Sequence, residues 1–379
     1  MNCKKSISLH KKFGGKLEIK SKFKIKTKTD LSLAYTPCVA EISSAIAKNK
    51  KLAKEYTIKK NTIAVVSDGS AVLGLGNIGA EAAIPVMEGK AILFKELADV
   101  DAFPICLKTQ DPDEIIQIVK NIAPVFGGIN LEDISAPNCF YIEEKLQEIG
   151  IPVMHDDQHG TAIVVIAALI NALRAIEREI SSMKIVITGA GAAGTAISKM
   201  IARELRPKDI IMCDSKGIIS KKRKDLSPAK TKLLKIGNKD NKQGSMEDAL
   251  LNADIFIGVS SGGILNTDMI RTMNQNPIIF AMANPTPEIM PDEAKKGGAS
   301  VIGTGRSDFP NQINNVLAFP GIFRGLLDSG TAKITNEMKI SAAKALADYV
   351  KNPTVKKILP NPLDKNVSKA IAKSIMKSK

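Results

Sequence analysis

The chain has 379 residues, 44% of them apolar and 25% charged, with a net charge of +15 and no Trp. That length buries a sizeable core and suggests two domains. The basic excess comes with no zinc-finger spacing, RNA-recognition signature or aromatic platform, so it reads as a solvated lysine-rich surface with some attraction for anionic substrates. Nucleic-acid binding is the alternative it leaves open.

Residues 1–30 alternate lysine with apolar residues (KLEIKSKFKIKTKTD), which predicts a short strand or a loosely held arm, a candidate for exchange between subunits. No apolar h-region accompanies these lysines, so no secretory signal is expected. From Leu31 to about Val153 the pattern is mixed α/β. It predicts a helix over 40–54, a strand at Thr62–Val66, a helix following Gly79 and a strand at Lys90–Phe94. Helices at Asp113–Ile122 and Asn138–Glu148 follow, the last closed by Gly150.

From Thr161 an apolar helix runs towards Arg178. Its longest apolar stretch, Thr161 to Leu173, is too short to span a bilayer and is interrupted by Asn171, so a buried helix is expected. Strand MKIVITG, helix TAISKMIAREL and strands DIIMCD, ADIFIGVS, NPIIFAMAN and ASVIGTG come next, and the chain after about 310 reads as helical. The fold class is therefore α/β: a mixed N-terminal domain over 1–156, then a Rossmann-like, doubly wound parallel sheet with C-terminal helices over 157–379. Five scattered cysteines (Cys3, Cys38, Cys106, Cys139, Cys213) form no CxxC, which fits reduced thiols in a cytoplasmic protein and no zinc site.

Two acidic pairs stand out: Glu132-Asp133 in GGINLEDISAP and Asp156-Asp157 in IPVMHDDQHGTA. Each follows an apolar run that reads as a strand. Adjacent carboxylates repel unless a cation lies between them, and Mg²⁺ or Mn²⁺ asks for an oxygen-only ligand set. The plain alternative is cap and turn residues on a solvated surface. His155 and His159 flank the second pair as ligands, a proton relay or, more simply, helix-terminal residues.

Gly189, Gly191 and Gly194 form G-x-G-x-x-G directly after a strand and before a helix, the turn that cradles a dinucleotide pyrophosphate. Asp214 ends the next strand, at the spacing that places an acid on the adenosine ribose. It favours NAD, but Lys216, Lys221, Lys222 and Arg223 follow and could neutralise a 2′-phosphate, so NAD or NADP stays open. Asn284 in AMANPTPE, and Asn314 and Asn315 in GTGRSDFPNQINN, follow predicted strands and suit a carboxylate, carbonyl or carboxamide, with turn chemistry as the alternative. Tyr35 before a helix, and Lys90, are candidate acid and base if burial tunes them, although with so many lysines a surface role is the default.

Together these residues resemble the malic enzyme family in its short bacterial and archaeal form. The matching blocks are YTPCVA from Tyr35, VVSDGSAVLGLGNIG, PVMEGKAILFK, FGGINLEDISAPNCFYIE, HDDQHGTA, GAGAAG, DSKG, ANPTPE and TGRSDFPNQINN, in family order from about 30 to 330. The resemblance implies oxidative decarboxylation of L-malate to pyruvate and CO₂ with reduction of NAD(P)⁺, by a cytoplasmic homodimer needing Mg²⁺ or Mn²⁺. It implies that Glu132, Asp133 and Asp157 hold the metal, with Asp156 a further acid behind them. Lys90 is then the general base and Tyr35 the general acid. Asn284 and Asn315 contact substrate and nicotinamide, and Gly189, Gly191, Ala192, Ala193, Gly194 and Asp214 hold the dinucleotide.

A lysine base must lose its proton, so Lys90 is expected to be buried or near positive charge. Two departures from the family pattern stand out. Cys38 occupies a position that is usually glycine, and Ala71 lies where longer members carry an arginine that grips malate. Oxaloacetate decarboxylase and malolactic enzyme share the same motifs. A non-catalytic nucleotide-sensing or nucleic-acid-binding protein on this fold is the rival of a different class.

Overall fold

The computed structural model describes residues 4–72 and 74–379, so Cys3 and the start of the arm lie outside the described residues. The chain opens with four short helices, α1 (Lys4–Phe13), α2 (Lys28–Ala34), α3 (Val39–Lys48) and α4 (Leu52–Tyr56). A strand does not form in the arm. The lysine-apolar alternation begins only beyond α1, and no neighbouring strand offers it a ladder among the described residues. A capping box starts α2, with Thr27 Oγ1 accepting from the Asp30 N–H and Asp30 Oδ2 from the Thr27 N–H. The helix expected over 40–54 is split at Asn49, whose backbone is extended and whose side chain accepts the Lys51 N–H. No residue from 4 to 61 is buried.

Burial begins at β1 (Thr62–Ser67). It is followed by α5 (Gly79–Ala98), β2 (Asp101–Cys106), α6 (Pro112–Ile122), β3 (Gly128–Leu131), α7 (Asn138–Leu146) and β4 (Val153–His155). The four strands form a parallel sheet in the order β2-β1-β3-β4. The strand expected at Lys90–Phe94 is instead the middle of α5. Ala83, Met87, Lys90, Ala91, Phe94 and Leu97 are buried at helical spacing, and burying that face outweighs the breaker tendency of Pro85 and Gly89. The alternation did not reveal β2, which tolerates Pro104 because it is an edge strand.

The second sheet follows α8 (Asp156–Ile176). Its elements are β5 (Lys184–Thr188), α9 (Ala192–Glu204), β6 (Asp209–Asp214), β7 (Gly217–Ile218), α10 (Pro228–Leu233), α11 (Met246–Leu250), β8 (Ile255–Gly258), α12 (Thr267–Arg271), β9 (Ile278–Ala281), α13 (Pro291–Lys296) and β10 (Val301–Thr304). Strand order is β10-β9-β8-β5-β6-β7, parallel except for β7. Ile185 and Ile187 enter one core and Val186 the other, so both faces of the sheet are covered, as doubly wound folds require.

The chain ends with α14 (Phe319–Ser329), α15 (Asn336–Tyr349) and α16 (Lys365–Lys377). These helices close back over the first sheet: Phe94 of α5 packs on Phe319 at 4.6 Å and on Phe323 at 5.5 Å. The 21-residue α8 is longer than the sequence suggested and apolar enough to cross a membrane, yet most of it is buried as a core helix. Asn171 interrupts its apolar run because its Nδ2 donates to the carbonyls of Ala347 and Ile358, both at 2.9 Å. Cys38, Cys106, Cys139 and Cys213 are free thiols.

Candidate active site

Parallel pairing of β3 with β4 sets Leu131 opposite His155, so the two acidic pairs that follow these residues emerge side by side. Side-chain oxygens of Glu132, Asp133 and Asp157 come within 4.8 Å of one another. Asp133 has a left-handed backbone (φ 53°), fixed from both sides: its carbonyl accepts the Ala71 N–H at 2.9 Å and its N–H donates to Asp157 Oδ2 at 2.8 Å. Ala71 thus contributes a main-chain donor here.

Lys90 reaches this cluster from α5. Its Nζ lies 2.8 Å from Glu132 Oε1 and 2.7 Å from Asp156 Oδ2, and 4.1 Å above the Phe319 ring. It is buried, as expected, but carboxylates surround it instead of cations. Burial alone would push its ammonium down; Asp156, Glu132 and Asp157 outweigh that and hold it well above its ordinary value. Burial likewise pushes Glu132 and Asp156 up to about 7 against the pull of Lys90. Asp157, whose side chain keeps 32% of its surface exposed, rises to about 6 for the same reason.

One ammonium faces four carboxylates, a net charge of −3 when all are ionised. An all-oxygen donor set with that excess fits a hard dication and does not fit a soft one.

Sequence reasoning missed Glu143, which organises the same segment. Its Oε1 accepts the His155 N–H at 2.9 Å, and its Oε2 faces Gln158 Nε2 and His159 Nε2, both at 3.0 Å. Burial would raise Glu143, but His159, Lys339 and His155 hold it down at about 2. A signal existed: Glu143 shares the buried face of α7 with Cys139, Ile142 and Leu146, an odd place for an acid without partners. Gly160 was also missed. A Cβ there would collide with Asp156 Oδ1 and stand 3.3 Å from Asn315 Cβ. His155 is the N-terminal cap of α8, with its imidazole pushed down to about 4 by burial and therefore neutral.

Among the other predicted residues, Asn315 comes close to this cluster. Tyr35 ends α2, 67% exposed, with no side-chain hydrogen bond among the described residues. Cys38 has right-handed α backbone (φ −68°), which explains why a non-glycine residue is accepted there. Asn284 is exposed after β9, with Gly74 close to its carbonyl and Gly305 close to its Nδ2. Asn315 is half-buried beside Gly160.

The glycine turn joins β5 to α9. Gly189 has φ 99°, and a Cβ on it would stand 2.5 Å from the Val259 carbonyl, so only glycine fits. A Cβ on Gly194 would collide with the Gly189 carbonyl, while one on Gly191 would meet open space. That open approach to the N-terminus of α9, where Ala192 and Ala193 begin the helix, fits a pyrophosphate.

Asp214 closes β6 with every acceptor position in use. Its Oδ1 takes the Lys216 N–H at 2.9 Å and Arg223 Nη1 at 2.7 Å; its Oδ2 takes Arg223 Nη2 at 3.1 Å and Lys230 Nζ at 2.5 Å. Burial opposes ionisation of Asp214, but these donors hold it at about 2. Arg223 also grips Asp225, and Lys216 pairs with Asp225 at 2.9 Å.

Comparison with known proteins completes this picture. Residues 14–147 match the family model of the malic enzyme N-terminal domain, and residues 158–379 that of the malic enzyme NAD-binding domain. The chain is 55% identical over 377 residues to a bifunctional malic/malolactic enzyme of Bacillus subtilis, covering 98% of this chain and 92% of that protein. It is 52% identical to an NAD-dependent malic enzyme of Geobacillus stearothermophilus, covering 96% and 77%. A crystal structure of an NAD-dependent malic enzyme from Thermotoga maritima superposes with a TM-score of 0.95 at 46% identity, covering 98% of each chain.

Proposed function

The chain belongs to the malic enzyme family, and from that premise we propose that it converts L-malate to pyruvate and CO₂ while reducing NAD(P)⁺. The observation that carries the reading is Lys90 held 2.8 Å from Glu132 and 2.7 Å from Asp156, beside three converging carboxylates. Glu132, Asp133 and Asp157 would hold Mg²⁺ or Mn²⁺. A dication there would supply Lewis acidity toward the substrate's hydroxyl and new carbonyl, and would compete with Lys90 for Glu132.

Lys90 takes the C2 hydroxyl proton as the C2 hydride leaves for the nicotinamide. Asp156, 2.7 Å from Lys90, would be placed to take the proton that Lys90 must lose beforehand, once a dication beside Glu132 and Asp157 offsets the charge that keeps Lys90 protonated. Cleavage of the C3–C4 bond then releases CO₂ and leaves the enolate of pyruvate. Tyr35 delivers a proton to C3. Asn284 and Asn315 orient the substrate carboxylate and the carboxamide of the nicotinamide.

For the cofactor, we infer that the chain accepts NADP⁺ at least as well as NAD⁺. The four acceptor positions of Asp214 are filled, and Lys216, Arg223 and Lys230 exceed Asp214 and Asp225 by one positive charge. A 2′-phosphate meets net attraction there.

Tyr35 is exposed, and so are the apolar side chains of Ile7, Ile19, Phe23 and Leu33 in the same N-terminal segment, each at least 66%. A second copy of the chain would cover such side chains, and the free thiols fit a cytoplasmic setting. The malolactic alternative is supported by the Bacillus subtilis relative, a bifunctional malic/malolactic enzyme.

The test mixes protein, L-malate and Mn²⁺ with NAD⁺ or NADP⁺ in parallel, following reduced nicotinamide by absorbance and assaying pyruvate and lactate. Equal reduced cofactor and pyruvate are expected. Lactate without net reduced cofactor selects the malolactic reading, and absence of turnover with either cofactor defeats both.

A further inference from the structure

A cleft of about 220 Å³ opens beside the first turns of α8, between that helix, α9 and α15. Its polar lining is Gln158, His159, Lys199, Arg203, Glu204, Asn336 and Lys339, one carboxylate among the cations. None of these belongs to the Lys90 cluster or to the glycine turn.

The cations lining it are unevenly balanced. Arg203 is paired with Glu204 at 3.0 Å and with Glu337 at 2.9 Å, and His159 faces Glu143 at 3.0 Å. The side chains of Lys199 and Lys339 make no hydrogen bond or ion pair among the described residues; Lys199 stands 5.9 Å from the Phe140 ring. Glu143 is the carboxylate that acts on both, but its oxygens already serve His155, Gln158 and His159. Lys339 is half-buried and Lys199 exposed; partial burial, with Lys232 adding to it at Lys199, pulls both ammonium groups below their ordinary value, and Glu143 offsets only part of that. An anion in the cleft would offset the rest.

We propose that this cleft binds a small multivalent anion, a dicarboxylate or a phosphate group, on Lys199 and Lys339, apart from the catalytic site. The cleft is too small for a dinucleotide, whereas a four-carbon diacid or a phosphate fits a space of this size. The bound anion also reaches the catalytic segment. Gln158 and His159 line the cleft and share Glu143 with the N–H of His155, so a ligand that draws on either shifts the turn carrying Asp156 and Asp157.

The test is calorimetric titration of the full chain, saturated with Mg²⁺, with inorganic phosphate in one arm and succinate in the other. Lys90→Ala is the control for occupancy of the catalytic site. Binding in the millimolar range is expected, retained in Lys90→Ala and in Lys339→Arg. It should weaken about tenfold in Lys199→Gln and Lys339→Gln, the size of a lost charged hydrogen bond. A response to phosphate alone, to succinate alone or to both supports the site and names its ligand class. Equal affinity in wild type and both glutamine variants, loss in Lys90→Ala only, or no heat with either probe overturns it. Because the readout is binding, it stands or falls independently of turnover.

Discussion

The acidic cluster at the end of the first sheet and the Asp214 clamp at the end of β6 use the same interaction with opposite balance. In the first, Lys90 is outnumbered by Glu132, Asp133, Asp156 and Asp157. In the second, Asp214 and Asp225 are outnumbered by Lys216, Arg223 and Lys230. The clamp fills every acceptor position of Asp214, whereas Asp156 Oδ1 in the acidic cluster is buried with no hydrogen-bond partner among the described residues; each site leaves a charge excess opposite to the ligand proposed for it. Burial makes the difference costly in one place and cheap in the other. Glu132 and Asp156 are nearly inaccessible and rise to about 7, whereas the better-exposed clamp holds Asp214 at about 2. A site assembled for a ligand shows itself through uncompensated charge as much as through the bonds it makes.

The strongest way to break this comparison is to remove the single cation of the acidic cluster. Lys90→Ala is expected to lower kcat roughly 10²–10⁴-fold in metal-saturated protein, the range of a general base. Asp157→Ala should match it by losing the metal. If purified Lys90→Ala turns over malate at close to the wild-type rate, Lys90 is not the base.

Metal removal tests the charge excess itself. Glu132 and Asp156 have folded values near 7 and Asp157 near 6, all above the unfolded range near 4. In metal-free protein they therefore contribute stability that is complete at about pH 4 and is lost as pH rises through about 6–7. Neutral His155 works the opposite way, but it cancels when metal-free and metal-loaded protein are compared at each pH. Mn²⁺ at about a hundred times its dissociation constant should add about 2.7 kcal/mol at pH 7.5, a Tm rise of about 3–6 °C. That increment should shrink towards pH 5.5 as protons compete for the same oxygens. Thermal unfolding with EDTA and with Mn²⁺ across this range decides it; an increment independent of pH would place the metal elsewhere.

On the cofactor side, Arg223→Ala and Lys230→Ala should each cut kcat/KM for NADP⁺ about 10–100-fold and leave that for NAD⁺ within a few-fold. Parallel losses with both cofactors would mean that the clamp only supports the β6 turn.

Much of this was legible in the sequence because it is local. The second sheet's strands follow from apolar runs between turns, and the G-x-G-x-x-G turn sits where its spacing requires. The two acidic pairs were legible as motifs, but their adjacency depends on β3 pairing with β4, which neither segment encodes alone. Lys90–Phe94 was misread as a strand because Pro85 and Gly89 punctuate an otherwise helical pattern, and only α14 packing on α5 decides between the two. Glu143 shows the same limit. Its partners are 12 to 16 residues away along the chain, so its importance is a property of the assembled site.

The smallest effect sharpens the comparison most. Asp225 is exposed enough to be screened, and both of its oxygens are tied to Arg223. Asp225→Asn removes one negative charge from the clamp, raising its excess from one positive charge to two without touching Asp214. KM for NADP⁺ should fall about two- to threefold at low ionic strength, and the gain should vanish near 0.5 M salt, where the Debye length is only a few ångströms. KM for NAD⁺ should not move, since it brings no 2′-phosphate. A gain that survives high salt would point to altered packing of the β6 turn, and charge balance would then not be what selects the cofactor.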